Sequence, residues 1–274
     1  MISSYAAGLL AEIGIASIAA LSVHLILAVG QLSLGNAAFM ACGAYTASVL
    51  TVEHGVPIPL AIAAGAVVSG VLGLIVGFPA LRLRGIYLAM ATLGFGEMTR
   101  SFFLSLDATG GAAGYSGMQR VSLGAIWAWA LPLLALVLLA ERSRLWLALN
   151  AVRDDETAAR LLGLNTVALK LGAFIGAAAL AGIAGGLFAH WHIFIEPGAF
   201  NLDRSTEMVL AVVLGGSTVA LGPFFGAAAL ALAPEALRFI ADWRLAAFGA
   251  LLIIILLLRP QGIIDRRLLK ALRP

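Results

Sequence analysis

Residues 141–170 read ERSRLWLALNAVRDDETAARLLGLNTVALK, and apolar segments long enough to cross a bilayer lie on both sides of them. Inside this stretch sit five basic residues, Arg142, Arg144, Arg153, Arg160 and Lys170, and the acidic run Asp154-Asp155-Glu156. Composition explains why such an island stands out. Of the 274 residues, 62% are hydrophobic and 11% charged, against roughly 25% charged in a soluble domain. Apolar runs of about 20 residues read as membrane-spanning helices. The chain is therefore expected to be an all-α polytopic integral membrane protein. It forms one transmembrane unit over residues 1–274 that presents residues 141–170 to one side as a loop.

Working outward, the sequence predicts crossings over residues 5–29, 59–81, 86–106, 124–140, 171–189, 205–220, 223–240 and 245–258. Residues 31–50, QLSLGNAAFMACGAYTASVL, are apolar but carry Gln31, Ser33, Asn36, Tyr45 and Thr46. They read either as a full span or as a half-helix that enters and leaves on one side. The total is eight or nine transmembrane helices, with the N-terminus inside or outside accordingly. If 141–170 is cytoplasmic, Arg82, Arg84 and the basic tail 259–274 (Arg259, Arg266, Arg267, Lys270, Arg273) are inside too, which places 12 of the 17 basic residues there. That asymmetry is what the positive-inside rule requires. The net charge of +3 is thus spent at span ends and does not suggest nucleic acid. Cys42 is the only cysteine, which excludes a disulfide framework within one chain. The first basic residue is Arg82, so the first apolar stretch lacks the charged region of a signal peptide and is expected to persist in the mature protein.

Within the island a short helix is predicted over residues 155–162. Asp154 is the expected N-cap, Asp155 and Glu156 favour the helix dipole in the first turn, and Glu156–Arg160 is an i,i+4 ion pair. Gly163 is placed to take the left-handed position that ends a helix. Two turns are marginal alone in water, so this helix, with Ala158 and Ala159 on its surface, needs another surface to pack against.

The order Ala158-Ala159, three residues, then Gly163 resembles the EAA loop of ABC importer permeases, whose short cytoplasmic helix fits a groove on the ATPase subunit. Thr157 stands where that motif has Glu, with Glu156 one place earlier. Further segments carry a closer resemblance: LSLGNAAFMACGAY (32–45), LRLRGIYLAMATLGFGEM (81–98), TGGAAGYSGM (109–118), NAVRDDETAARLLGLN (150–165) and LRPQGII (258–264). In this order they are similar to the LivH/LivM family of branched-chain amino acid permeases, most of all to its M-type member. The resemblance covers nearly the whole chain. It implies a permease for branched-chain or related small amino acids or amides in the bacterial inner membrane. Asp154, Asp155, Glu156, Ala158, Ala159, Arg160 and Gly163 would couple it to ATP hydrolysis. The implied partners are a second, LivH-type permease, two cytoplasmic ABC ATPases and a periplasmic substrate-binding protein.

Independently of any family, the chain has no G-x-x-x-x-G-K-[ST] phosphate loop, and neither of its lysines, Lys170 and Lys270, follows a glycine. Any ATP and Mg would be used by partners; the chain is expected to bind no cofactor and to carry no catalytic residue. Polar residues at bilayer depth are candidates for a translocation path. They are Gln31, Ser33 and Asn36, the i,i+3 pair Glu97 and Arg100, and Ser217 and Thr218 after Gly215-Gly216. Structural alternatives stand beside each: an ion pair for Glu97–Arg100, and hydrogen bonding between helices for the small polar residues. Glu12 and His24 read as interfacial or packed between helices. His190, His192 and Glu196 lack an assured third metal ligand, and Ser217, in GGSTV, fails the G-x-S-x-G pattern. Two other functional classes fit the composition: an ion-coupled secondary transporter using Glu97 and Arg100, and a non-transporting membrane scaffold.

Overall fold

A computed structural model describes residues 4–83 and 85–236, together with Gly249 and Gly262. The expected crossing at 245–258 and the basic tail 259–274 lie outside the described residues except for those two glycines, as do residues 237–240. Among the described residues the chain is helical almost throughout. The helices are α1 (Ser4–Leu27), α2 (Asn36–Val52), α3 (Ile58–Ala80), α4 (Ile86–Ser105), α5 (Leu123–Glu141), α6 (Arg144–Asp154), α7 (Glu156–Leu161), α8 (Thr166–His192), α9 (Leu202–Gly215) and α10 (Leu221–Ala236). Two short strands, β1 (Tyr115–Ser116) and β2 (Phe194–Ile195), form one antiparallel pair.

The helix starts follow local chemistry. Pro57 opens α3 with its fixed φ. Ser122, Ser143, Asp155, Asn165 and Asn201 each accept a hydrogen bond from a first-turn backbone N–H, at the starts of α5, α6, α7, α8 and α9. Among the described residues four helices, α1, α3, α5 and α8, are long and apolar enough to cross a membrane.

The connections define two ends of the bundle. At one, β1 pairs with β2, Tyr115 Oη donates to Glu53 Oε1 just past α2 (3.1 Å), and His190 near the end of α8 bonds Thr51 (3.1 Å). Partial burial, and then the Glu53 carboxylate, push the Tyr115 phenol above its ordinary pKa. At the other end Gly30, just past α1, packs against Arg153 of α6, and a shared cavity brings together Gln31, Leu83, Gly85, Arg153 and Lys170.

Residues 31–50 therefore run from one end to the other. An extended segment, 31–35, enters from the α6–α7 end, and the 17 residues of α2 continue toward the strand end, about 25 Å at 1.5 Å per residue. α2 is the central helix, with most of its residues buried. It meets α3 and α8 where side chains are absent. A Cβ on Gly43 would collide with Gly182 of α8, one on Gly185 with the Met40 carbonyl, and one on Gly65 with the Gly43 carbonyl at 2.7 Å. Ser69 of α3 adds a hydrogen bond to the Phe39 carbonyl (2.9 Å). Such close backbone approach is how helices associate where no hydrophobic force drives them together.

The helix at the expected crossing 205–220 is shorter than read and starts earlier. The helix is Leu202–Gly215, 14 residues or about 21 Å, and then the chain breaks at residues 216–220. Its first turn lies toward the strand end of α8, with Arg204 over the Phe188 ring (5.0 Å) and Ser205 Oγ accepting from Ala37 N of α2 (3.1 Å), while beyond its last turn Ala220 N donates to Glu141 at the end of α5 (2.6 Å). At this break α9 folds back on α10, with Gly215 against Gly222 and Gly226 against the Ala211 carbonyl. Gly262, from the LRPQGII segment, packs on Gly216 at this break. The expected span 171–189 is longer than read: α8 covers 27 residues and takes in His190 and His192.

Candidate functional site

The island folds into α6, α7 and the start of α8. α6 forms because Ser143 caps it, its Oγ accepting from Trp146 N (3.4 Å), and because Trp146, Leu149 and Val152 make one buried stripe. α6 ends at Asp154, so the expected N-cap of the short helix is displaced by one residue. Asp155 has the extended backbone of a cap (φ −153°, ψ 105°), and its Oδ1 accepts from Thr157 N (2.8 Å) and Ala158 N (3.0 Å). Asp154 caps nothing and pairs with Arg153 (3.4 Å). The helix is Glu156–Leu161 rather than 155–162.

Its far end is as the sequence predicts. Gly163 has φ +84°; its N–H bonds the Arg160 carbonyl (3.0 Å) and Leu164 N–H bonds the Ala159 carbonyl (3.1 Å). Together these satisfy two of the last carbonyls in a Schellman motif. Glu156 ties α7 to the body: one oxygen pairs with Arg160 (3.0 Å) and the other with Lys170 of α8 (2.7 Å). Ala159 faces inward, and Ala158 faces out. Leu161 and Leu162 stand 85% and 81% exposed, the most uncovered large apolar side chains among the described residues. A two-turn helix clamped at both ends and by a buried-side ion pair presents a rigid apolar tip.

Behind α7 lies a buried junction. Glu141, the last residue of α5, has Oε1 3.0 Å from His24 Nε2 of α1 and 2.6 Å from Ala220 N in the α9–α10 break. The side chains of His24 and Glu141 are 1% and 9% exposed. The His24 ring stacks on Trp146 of α6 (centroids 5.4 Å apart, planes at 26°). One carboxylate oxygen thus joins α1, α5 and the α9–α10 break, while the indole joins α6 to the same point. His24 is packed between helices, as expected; Glu141 as its partner was not foreseen, being 117 residues away in sequence.

The residues proposed to line a path fall into three places. Gln31, Ser33 and Asn36 lie in the buried break between α1 and α2: Asn36 Nδ2 donates to Ser22 Oγ of α1 (3.0 Å), Ser33 Oγ accepts from Gly35 N (3.2 Å), and Gln31 Oε1 is buried without a protein partner. Ser217 and Thr218 lie in the second break, between α9 and α10. Glu97 and Arg100 form the i,i+3 ion pair expected of them (3.2 Å), partly exposed on α4. Both breaks are held by the last turns of α1, through Ser22 and through His24. His190 and His192 do not converge: His190 bonds Thr51 and the Gly186 carbonyl, and His192 pairs with Glu12 (3.0 Å).

Residues 5–258 match the family described as branched-chain amino acid transport system / permease component. The chain belongs to that family. It is 33% identical over 271 residues to the high-affinity branched-chain amino acid transport system permease protein LivM of Salmonella typhimurium, covering 86% of this chain and 64% of that protein. The LivM protein of Escherichia coli is 32% identical over the same shares. The LivH permease protein of Escherichia coli is 33% identical over 139 residues, covering 50% of this chain and 44% of that one. The chain spans just under two thirds of the length of the LivM proteins it matches. No solved structure matches it. Membership of a permease family, with four helices long and apolar enough to span among the described residues, makes this a multi-pass membrane protein. The match covers both helix breaks, the Glu141 junction and α7.

Proposed function

We propose that the chain is a membrane subunit of an ATP-driven importer in the bacterial inner membrane, passing branched-chain or related small amino acids inward. α7 docks in a groove of a cytoplasmic ATPase, the strand end faces the periplasm and a substrate-binding protein, and a second, LivH-type permease completes the pore. Hydrolysis of ATP with Mg belongs to the two ATPases. In this orientation nine crossings place the N-terminus outside and the tail 259–274 inside.

The observation that carries the reading is the rigid apolar tip of α7. A membrane permease with two adjacent leucines more than four-fifths exposed, on a doubly capped helix clamped to α8, has built a plug for a socket it lacks. Replacing Leu161 and Leu162 together by Glu is expected to leave the chain inserted and folded, since neither side chain packs in the core, but to abolish ATPase co-purification and uptake. Wild-type uptake in that double variant rejects the docking role. Uptake by the purified chain alone down a proton gradient would favour the ion-coupled reading with Glu97 and Arg100.

A further inference from the structure

A cavity of about 360 Å³ lies between α1, α9 and α10, with Met40 of α2 at its side. Its walls are three matched stripes at helical spacing: Glu12, Ala16 and Ala19 on α1, Arg204, Met208 and Ala211 on α9, and Ala227, Leu230 and Ala231 on α10. Among the described residues, Glu12, Arg204 and Glu207 are its charged lining. They belong to one contiguous cluster. Glu12 pairs with His192 (3.0 Å), the His192 ring packs on Phe188 (4.2 Å), and Arg204 sits over the same Phe188 ring (5.0 Å) while reaching Glu207 (3.4 Å). The cavity therefore has a polar patch with both signs of charge, and the rest of its lining is aliphatic or thioether.

We infer that this cavity is a transit subsite for a zwitterionic amino acid with an apolar side chain. The proposal rests on the transport reading above and adds to it a place inside this subunit. Arg204 takes the α-carboxylate, and Glu12 and Glu207 take the α-ammonium. The side chain lies against Ile15, Met40, Met208 and Leu230. The volume falls in the range of about 300–1,000 Å³ typical of small-molecule sites. The mixed rim explains why the cluster is not simply a paired-off set: Arg204 meets Glu207 at 3.4 Å and only in part, with the Glu207 side chain 62% exposed. Such a pair opens to exchange partners with a ligand of the same two charges at little cost. A permease needs weak contacts of this kind, since tight binding would hold its cargo.

The test uses the whole assembly in proteoliposomes, energised by ATP, with leucine and alanine as the probes. Ala16→Phe and Ala231→Phe, at partly exposed positions of the wall, fill the cavity. Each is expected to lower leucine uptake relative to alanine uptake severalfold, with ATP hydrolysis and assembly retained. Arg204→Gln is expected to raise the KM for leucine about tenfold to a hundredfold, the loss of one charge-assisted bond, and Arg204→Lys to restore part of it. A wild-type assembly that takes up neither amino acid overturns the transport reading and the subsite with it. Normal wild-type uptake, with an unchanged leucine-to-alanine ratio in both filled variants and an unchanged KM in Arg204→Gln, overturns the subsite alone.

Discussion

Replacing Glu141 by Ala removes the one acceptor shared by His24 Nε2 and Ala220 N. Neither group can turn to water, because His24 is fully enclosed and Ala220 is buried. A buried donor left without a partner costs about 1–3 kcal/mol, so the two together cost about 2–6 kcal/mol, toward the lower end if a water enters the vacated space. Glu141→Gln keeps the Oε1 acceptor in a side chain of the same shape, and its cost is expected to stay within about 1 kcal/mol. At roughly 2 °C per kcal/mol for a chain of this size, Glu141→Ala should unfold about 4–12 °C lower than wild type and Glu141→Gln within about 2 °C. The protein supplies its own probe. Cys42 is the only cysteine and is buried in the central helix α2, so a maleimide dye labels it only when the core opens. Labelling during a temperature ramp, quantified on this chain after gel separation, gives the midpoint. If Glu141→Ala and Glu141→Gln open at the same temperature as wild type, the junction holds nothing together and the reasoning fails.

Three further outcomes follow from particular residues. Asp155→Ala loses the α7 cap, about 0.5–2 kcal/mol, and should weaken ATPase co-purification several-fold, whereas Asp154→Ala should leave it unchanged; equal effects would mean the cap is misassigned. Gly163→Ala forces a Cβ into a left-handed backbone with φ +84°, at about 1 kcal/mol, and should resemble Asp155→Ala in a co-purification titration against ATPase. Gly185→Val drives a branched side chain into the Met40 carbonyl, where backbone cannot yield as a side chain would. It exceeds the usual overpacking cost of about 1–3 kcal/mol, so this variant should be lost to degradation or run as aggregate by size exclusion; a monodisperse Gly185→Val protein with protected Cys42 would contradict the α2–α8 crossing.

How much of this was legible in the sequence depended on how far apart the interacting residues lie. The limits of α3, α4 and α5 were readable within one or two positions, because hydropathy changes abruptly at Pro57, Arg82 and Ser122. The end of α7 was readable because only glycine suits the left-handed turn at 163. Its start was not, because Asp154 and Asp155 are equally good caps by type. What chooses between them is α6, whose stripe Trp146, Leu149 and Val152 is spaced as a helix face and carries a Ser143 cap, a signal that the polar composition of the island masks. The second break misled for a different reason. Hydropathy measures how apolar a segment is and not where a helix stops, so residues 205–220 read as one unbroken span although the helix ends at Gly215 and Ser205 bonds Ala37, 168 positions earlier. The same distance hid the charged cavity and the Glu141 junction. Glu12 meets His192 from 180 positions away, and His24 meets Glu141 from 117.

These long-range contacts have one geometric consequence that no local pattern announces. The final turns of α1 hold the first helix break through Ser22 and Asn36, and the second through His24, Glu141 and Ala220. Trp146 stacks on that same histidine from the helix that leads into α7. A displacement of α6 and α7 by whatever seats on Leu161 and Leu162 therefore reaches the last turns of α1, and through Glu141 the second break, by way of His24. His24→Phe separates the two roles that this residue combines. It keeps a ring for Trp146 to stack on and removes the contact with Glu141, so ATPase docking should persist. Uptake per ATP hydrolysed by the assembly in proteoliposomes should fall. An unchanged ratio would show that work done on α7 reaches the breaks by another route.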